Sequence, residues 1–320
     1  MFFLLFVSVL SLDTGKILHI TDIHYDPYYQ VDSPANCFHI GVFKGLGCCH
    51  SSNIPISPER KAGKYGDFNC DSPYALINET FNWIKNNHQL DYVFYTGDTV
   101  SHKHFSQSKS RNLNAIQEVS GLFNYYFSEI KTFNILGNHD TWPVDQFPDY
   151  PKNEYWLNNI LPYWNKEFTN NSNFTFTHGG YYSQLLNKNL RIIGLNSLYF
   201  DSYNILALQD YDYANQIKWL GDTLEVARKN DEKVWLLGHI YPLGNQAKKS
   251  FTLNFNNLFR QYNDIIEFQI WGHLHNDLFT LYSDSDDLNS NIIGVGFVTP
   301  SLMPDHHRPS YRIYEYDKET

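Results

Sequence analysis

The sequence predicts a single α/β domain. Short runs rich in β-branched and aromatic residues alternate with helical apolar stripes along 320 residues. Five of those runs end in clusters of metal-friendly or proton-active side chains, and no internal repeat or low-complexity linker divides the chain.

Taken in order, "KILHIT" (16–21) is the strand that opens the domain. A loop rich in Gly, Ser, Pro and Cys covers 30–71. In "SPYALINETFNWIKNNH", Ser72 is a good helix N-cap and Pro73 suits the first helical position, with Tyr74, Ile77, Phe81 and Ile84 on one stripe. "YVFYT" (92–96) reads as a buried strand, and a helix near 110–130 buries Leu113, Ile116, Val119 and Phe123. "FNIL" (133–136) is the next strand, followed by aromatic- and Asn-rich connections over 141–180. "YYSQLL" (181–186) and "RIIGLNS" (191–197) form a strand pair, and a helix over 212–228 carries Ile217, Leu220 and Leu224. "KVWLLG" (233–238) and "FQIWG" (268–272) are strands separated by a helix around 253–262, and "FTLYS", "GVGFVT" and "YRIYEY" are three more strands.

The five polar clusters are Asp22-Ile23-His24, Gly97-Asp98, Gly137-Asn138-His139-Asp140, Gly238-His239 and Gly272-His273-Leu274-His275. In extended chain, residues two apart point the same way, so Asp22 and His24 can reach one ion. Open α/β sheets bind ligands at the carboxyl ends of their strands. The glycine before four of the clusters is expected to let the backbone turn sharply. Four imidazoles, two carboxylates and one amide oxygen suit borderline divalent cations.

The formal charge of −10, without a long run of like charge, argues against a protein that binds nucleic-acid polymers. Residues 1–11, "MFFLLFVSVLS", are too short to span a bilayer and fit the apolar core of a secretory signal cut after Ser11, although a basic start is missing. Sequons at Asn78, Asn170 and Asn173 agree with secretion. Cys37, Cys48, Cys49 and Cys70 allow three pairings; a vicinal Cys48–Cys49 bridge is disfavoured, and a zinc cluster lacks a CxxC.

The clusters resemble the signature of the calcineurin-like metallophosphoesterase superfamily (D-x-H, G-D, G-N-H-D/E, G-H and G-H-x-H) from Lys16 onward. "TDIHYDPYY", "YGDFNCDSPYALI", "LGNHDTWPVDQFP" and "VTPSLMP" followed by "YRIYEYD" are similar to the acid sphingomyelinase and acid sphingomyelinase-like phosphodiesterases. The resemblance implies a four-layer α/β/β/α sandwich over 16–320 with a dimetal site at the strand ends. It implies one metal on Asp22, His24, Asp98 and His275 and another on Asp98, Asn138, His239 and His273, with Asp98 bridging. Two zinc ions are implied, other divalent metals being alternatives; Ser101 stands where purple acid phosphatases carry a tyrosine, which disfavours iron. It also implies Cys37–Cys48 and Cys49–Cys70 disulfides, and a helical C-terminal segment that is not expected after the last strand here.

The activity so implied is hydrolysis of a phosphodiester, either a sphingomyelin-type lipid or a nucleotide diester, by a hydroxide that the metals activate. His139 is the expected general acid and His102, in preference to His104, a second histidine beside the phosphate. Asp140 is expected to brace the loop or its histidine. A protonated histidine favours mildly acidic medium, as in a lysosomal or extracellular setting. A monomer with transient membrane-surface contact is expected. A phosphomonoesterase on the same scaffold and a catalytically silent secreted binding protein are the alternatives. His19, His39, His50, His88 and His178 match no motif and are expected in core or surface roles. His306 and His307 are expected at a substrate rim. Tyr25, Tyr28, Tyr29 and Trp142 flank the motifs, either lining a pocket or packing.

Overall fold

Ten strands divide between two sheets in the structure, a computed structural model that describes residues 13–36, 48–50, 60–103, 107–209, 211–287, 289–304 and 307–318. The chain runs β1 (Thr14–Ile20), α1 (Tyr74–Asn87), β2 (Tyr92–Tyr95), α2 (Lys109–Phe127), β3 (Lys131–Asn134), α3 (Glu154–Trp164), α4 (Asn170–Gly179), β4 (Tyr182–Leu185) and β5 (Leu190–Gly194). It continues with α5 (Gln216–Lys229), β6 (Lys233–Leu237), α6 (Lys249–Tyr262), β7 (Ile266–Trp271), β8 (Leu278–Ser283), β9 (Ile292–Val298) and β10 (Arg312–Asp317). Residues 1–11, Cys37 with its expected bridge to Cys48, and His39, His104 and His306 lie outside the described residues.

One sheet has the order β10-β1-β2-β3 and the other β4-β5-β6-β7-β9-β8. β1, β2 and β3 run parallel, as do β5, β6, β7 and β9, while β10, β4 and β8 pair antiparallel with their neighbours. The sheets pack face to face through an aromatic core in which Trp235 of β6 meets Phe94 of β2 edge-on, ring centres 6.2 Å apart. Helices α1 and α2 cover the outer face of the first sheet, where Phe123 meets Phe81 and Tyr95. Helix α6 covers the second, where Phe255 and Phe259 pack on Trp271 and Tyr282. This is the four-layer arrangement expected. No described helix is long and apolar enough to cross a membrane.

Several local expectations need correction. Helix α1 begins at Tyr74 with Pro73 at its cap, not Ser72, because the Ser72 backbone pairs with the segment after β1: its amide donates to the His24 carbonyl and its carbonyl accepts from Asp26. Tyr74 is exposed, and Leu76 joins Ile77, Phe81 and Ile84 on the buried face. The stretch 141–180 is not all connection: it holds α3, which buries Trp156, Leu157, Ile160 and Trp164, and α4, whose N-cap Thr169 accepts from the Ser172 amide. Helix α5 starts four residues later than expected, after a 3-10 turn, and α6 starts four residues earlier. Cys49 and Cys70 are bridged, as the resemblance implies.

Candidate metal centre

Parallel pairing delivers the carboxyl ends of β1, β2, β3, β6 and β7 to one edge of the sandwich, and the five polar clusters follow directly. Their geometry departs from simple extension. Asp22, His24, Asp98, His273 and His275 all have positive φ, between 45° and 72°. The left-handed region is uncommon for side chains other than Gly, though Asn, Asp and His enter it several-fold more readily. Asp22 and His24 therefore converge through left-handed turns and not through strand alternation. Among the glycines before the clusters, only Gly97 has positive φ. Gly137 matters through close approach: a Cβ there would lie 2.1 Å from Asp98 Oδ1.

The seven expected ligands meet in two groups that share Asp98. In the first, His24 Nε2 lies 3.1 Å from His275 Nε2, 3.5 Å from Asp98 Oδ2 and 3.9 Å from Asp22 Oδ1, and His275 Nε2 lies 3.3 Å from Asp22 Oδ1. In the second, His239 Nε2 lies 2.9 Å from Asn138 Oδ1 and 3.2 Å from Asp98 Oδ2, and His273 Nδ1 lies 3.0 Å from Asn138 Oδ1. One atom, Asp98 Oδ2, faces both groups.

Ring orientation tests whether these groups suit cations. His24 Nδ1 is 2.9 Å from the Val100 carbonyl and His239 Nδ1 is 2.7 Å from the Thr96 carbonyl, so each Nδ1 carries the proton and donates. Asn138 Nδ2 donates to Asp145 Oδ1 at 2.8 Å, turning its amide oxygen inward, and His273 Nε2 lies 2.7 Å from Gln246 Oε1. In its neutral form each ring therefore presents a lone pair to other acceptors. Lone pairs facing one another at such distances fit a cation between them.

The electrostatics agree. Burial opposes a charge on His239, but the Asp98 and Asp22 carboxylates outweigh it and raise its pKa to about 9. Burial also opposes ionisation of Asp98 and Asp22, yet His239 and His139 hold Asp98 well below the usual carboxylate range, and His275 lowers Asp22. Burial and the neighbouring His239 lower His273 to about 4, and burial with His102 lowers His24. Positive charge is thus favoured beside Asp98, while His24 and His273 are held in their neutral forms.

His139 opens onto the first group. Its amide donates to Asp98 Oδ1 at 2.8 Å, and its ring centre is 4.9 Å from that of His24 and 4.5 Å from that of His102. His102 stacks on His24 at 3.8 Å, and its Nδ1 lies 2.7 Å from Asp71 Oδ1. Asp140 braces the loop, accepting from the amides of Gly137, Thr99 and Asp98. Burial and then Asp98 raise its pKa to about 6.

Three supporting residues were not foreseen: Asp71, Asp145 and Gln246. Only Asp71 had a signal, its place beside the bridged Cys70. Replacing Asp71 with Asn should lower kcat/KM by roughly 10- to 100-fold, because outer partners orient their histidine. Steady-state kinetics alongside metal analysis checks this; the metal content should stay unchanged.

The remaining described histidines stay outside both groups. His19 is buried between Thr96 and Thr299, His50 meets Asp26, His88 meets Tyr311, and His178 lies against Tyr150. His307 bonds Ser301 and the Arg308 carbonyl. Tyr25 packs, its hydroxyl donating to Glu118, and Tyr29 donates to the Gly63 carbonyl, whereas Tyr28 and Trp142 are exposed. Of the sequon asparagines, Asn78 accepts from the Tyr126 hydroxyl, Asn170 is exposed at the start of α4, and Asn173 is half-buried within it.

Residues 15–277 match the family described as calcineurin-like phosphoesterase. The chain belongs to the calcineurin-like phosphoesterase family. Within this family it is 34% identical to sphingomyelin phosphodiesterase B of Dictyostelium discoideum over 96% of its own length, and spans 49% of that protein. It is 33% identical to sphingomyelinase phosphodiesterase C of the same organism, covering 98% of this chain and 73% of that one. Identity to the human cyclic GMP-AMP phosphodiesterase SMPDL3A is 31%, over 95% of this chain and 67% of that protein. A crystal structure of a dimetal phosphatase from Danio rerio shares the calcineurin-like phosphoesterase fold, with a TM-score of 0.54 at 11% identity over 93% of this chain and 91% of that one.

Proposed function

We propose that this chain is a zinc-dependent phosphodiesterase, active outside the cytoplasm, on sphingomyelin-type lipids or nucleotide diesters. The observation that carries the reading is the single oxygen, Asp98 Oδ2, facing the nitrogen of His24 at 3.5 Å and that of His239 at 3.2 Å. Asp22, His24, Asp98 and His275 would hold one cation, and Asp98, Asn138, His239 and His273 the other. Two zinc ions there would draw charge from the phosphoryl oxygens and lower the pKa of a water, so that it gives up a proton and supplies the hydroxide that attacks phosphorus.

The chain's own groups do the rest. His139 protonates the departing oxygen as its bond to phosphorus breaks. Asp71 holds the Nδ1 proton of His102, which leaves Nε2 to bond a phosphoryl oxygen when that nitrogen is protonated. Asp145 and Gln246 lock Asn138 and His273, so that little reorganisation is needed when substrate binds. The Cys49–Cys70 bridge and the sequons support an extracellular or lysosomal place, to which a signal peptide at 1–11 and a Cys37–Cys48 bridge would also belong. The catalytic domain is taken as 16–320, with 30–71 as its disulfide-stapled loop, acting as a monomer.

The test is hydrolysis of bis-p-nitrophenyl phosphate, its monoester, sphingomyelin and a cyclic dinucleotide by purified protein before and after chelation. Diester turnover that chelation abolishes and zinc restores is expected. Monoester-only turnover would replace this reading with a phosphomonoesterase, and inertness with two zinc ions bound would replace it with a binding protein.

A further inference from the structure

Residues 203–209 and Tyr211 present the apolar side chains of Tyr203, Ile205, Leu206, Leu208 and Tyr211 to solvent. Ile205 is 66% exposed and Leu208 61%, so most of each of these two side chains faces solvent. A 3-10 turn at Ile205–Ala207 carries the aliphatic residues, and no charged residue occurs from Tyr203 to Leu208. Contiguous exposed apolar surface on a folded domain marks an interaction site.

The ridge is tied to the metal centre. Ser202 donates its amide to the Gln246 carbonyl at 2.8 Å, and the side chain of Gln246 reaches both Asp201 and His273. On the other side Gln146 bonds the backbone of Tyr203 and Ile205, one residue beyond the Asp145 that orients Asn138. Lys248 reaches the carbonyls of Ala207 and Tyr199 from beneath. The ridge is therefore braced from the protein side: Gln246 holds both its backbone and His273, and Gln146, which holds it on the other side, adjoins the Asp145 that holds Asn138.

We propose that this ridge inserts into a zwitterionic lipid surface and presents the headgroup phosphodiester of a membrane lipid to the metal centre. The proposal rests on the phosphodiesterase reading and narrows its substrate. Aliphatic tips flanked by two tyrosines match the division between acyl chains and headgroups, where aromatic rings with a polar end settle. The eight described residues of the ridge fall short of the roughly 20–30 residues a side of a stable protein interface. The formal charge of −10 opposes anionic membranes, so the surface addressed is zwitterionic.

The experiment is co-sedimentation of the whole chain with phosphatidylcholine–sphingomyelin vesicles, together with turnover of vesicle sphingomyelin and of soluble bis-p-nitrophenyl phosphate. For the triple variant Ile205→Glu/Leu206→Glu/Leu208→Glu, vesicle binding should fall at least about tenfold. The ratio of vesicle to soluble turnover should fall with it. Should that variant not fold, Leu206→Trp serves instead, with vesicle binding expected to tighten roughly threefold. Soluble turnover combined with vesicle binding that neither variant changes would overturn the lipid surface and leave the phosphodiesterase standing. Absence of soluble turnover would defeat the phosphodiesterase, with the substrate claim that rests on it, while sedimentation still judges the ridge. A dimer that the triple variant dissociates would assign the ridge to a second copy and also overturn the proposal.

Discussion

Replacing Asp98 with Asn should lower kcat/KM for a diester by about a thousandfold or more and reduce the bound metal below two equivalents. The magnitude follows from the several kcal/mol that a cation contributes at a phosphoryl oxygen, each 1.36 kcal/mol being a factor of ten. Asn is the informative substitution. It keeps an oxygen to accept the His139 amide that Asp98 Oδ1 now accepts, and it tolerates the positive φ of 59° at this position. What it removes is the negative charge between His24 and His239. Elemental analysis with the kinetics checks this, and a variant that retains two metals and turns over within tenfold of the parent would show that Asp98 is not shared.

His139→Ala should have the second-largest effect, about 10²–10⁴-fold in kcat, the range of a positioned general acid. The loss should depend on the leaving group. An alkoxide needs a proton as its bond breaks, whereas p-nitrophenolate is stable without one. The variant should therefore be most impaired on an alkyl diester and much less on bis-p-nitrophenyl phosphate, with both metals retained. Equal losses on both substrates would instead place His139 among the groups that hold the phosphate or the metal. Its ring nitrogen is close enough for that to be a real contest, within 4.8 Å of donor atoms of His24 and Asp98.

Much of the centre was legible in the sequence because strand ends mark themselves. A run such as "FQIW" closes with Gly272 and then two histidines, a change of chemistry over very few residues. The supports were not legible in the same way. Gln246 and Asp145 come from loops with no periodicity, and only folding sets them beside His273 and Asn138. Helix α3 shows why 141–180 misleads: Trp156, Leu157, Ile160 and Trp164 have helical spacing, but Pro162 and the neighbouring asparagines mask it. Helix α4 is built from poor helix formers and is held by packing, with Phe176 fully buried, so local propensity is overridden. The reason foreseen for the strand-end glycines holds at Gly97, whose φ is 94°, and not at Gly137, which serves proximity and not rotation.

The left-handed backbone at Asp22, His24, Asp98, His273 and His275 limits how this centre can be redesigned. Exchanging any of them for cysteine, glutamate or methionine to change ion preference would load that residue with about 1–2 kcal/mol of steric penalty before any coordination was gained. Asn138 and His239 carry no such restriction, so attempts to retune the metal should start at those two positions.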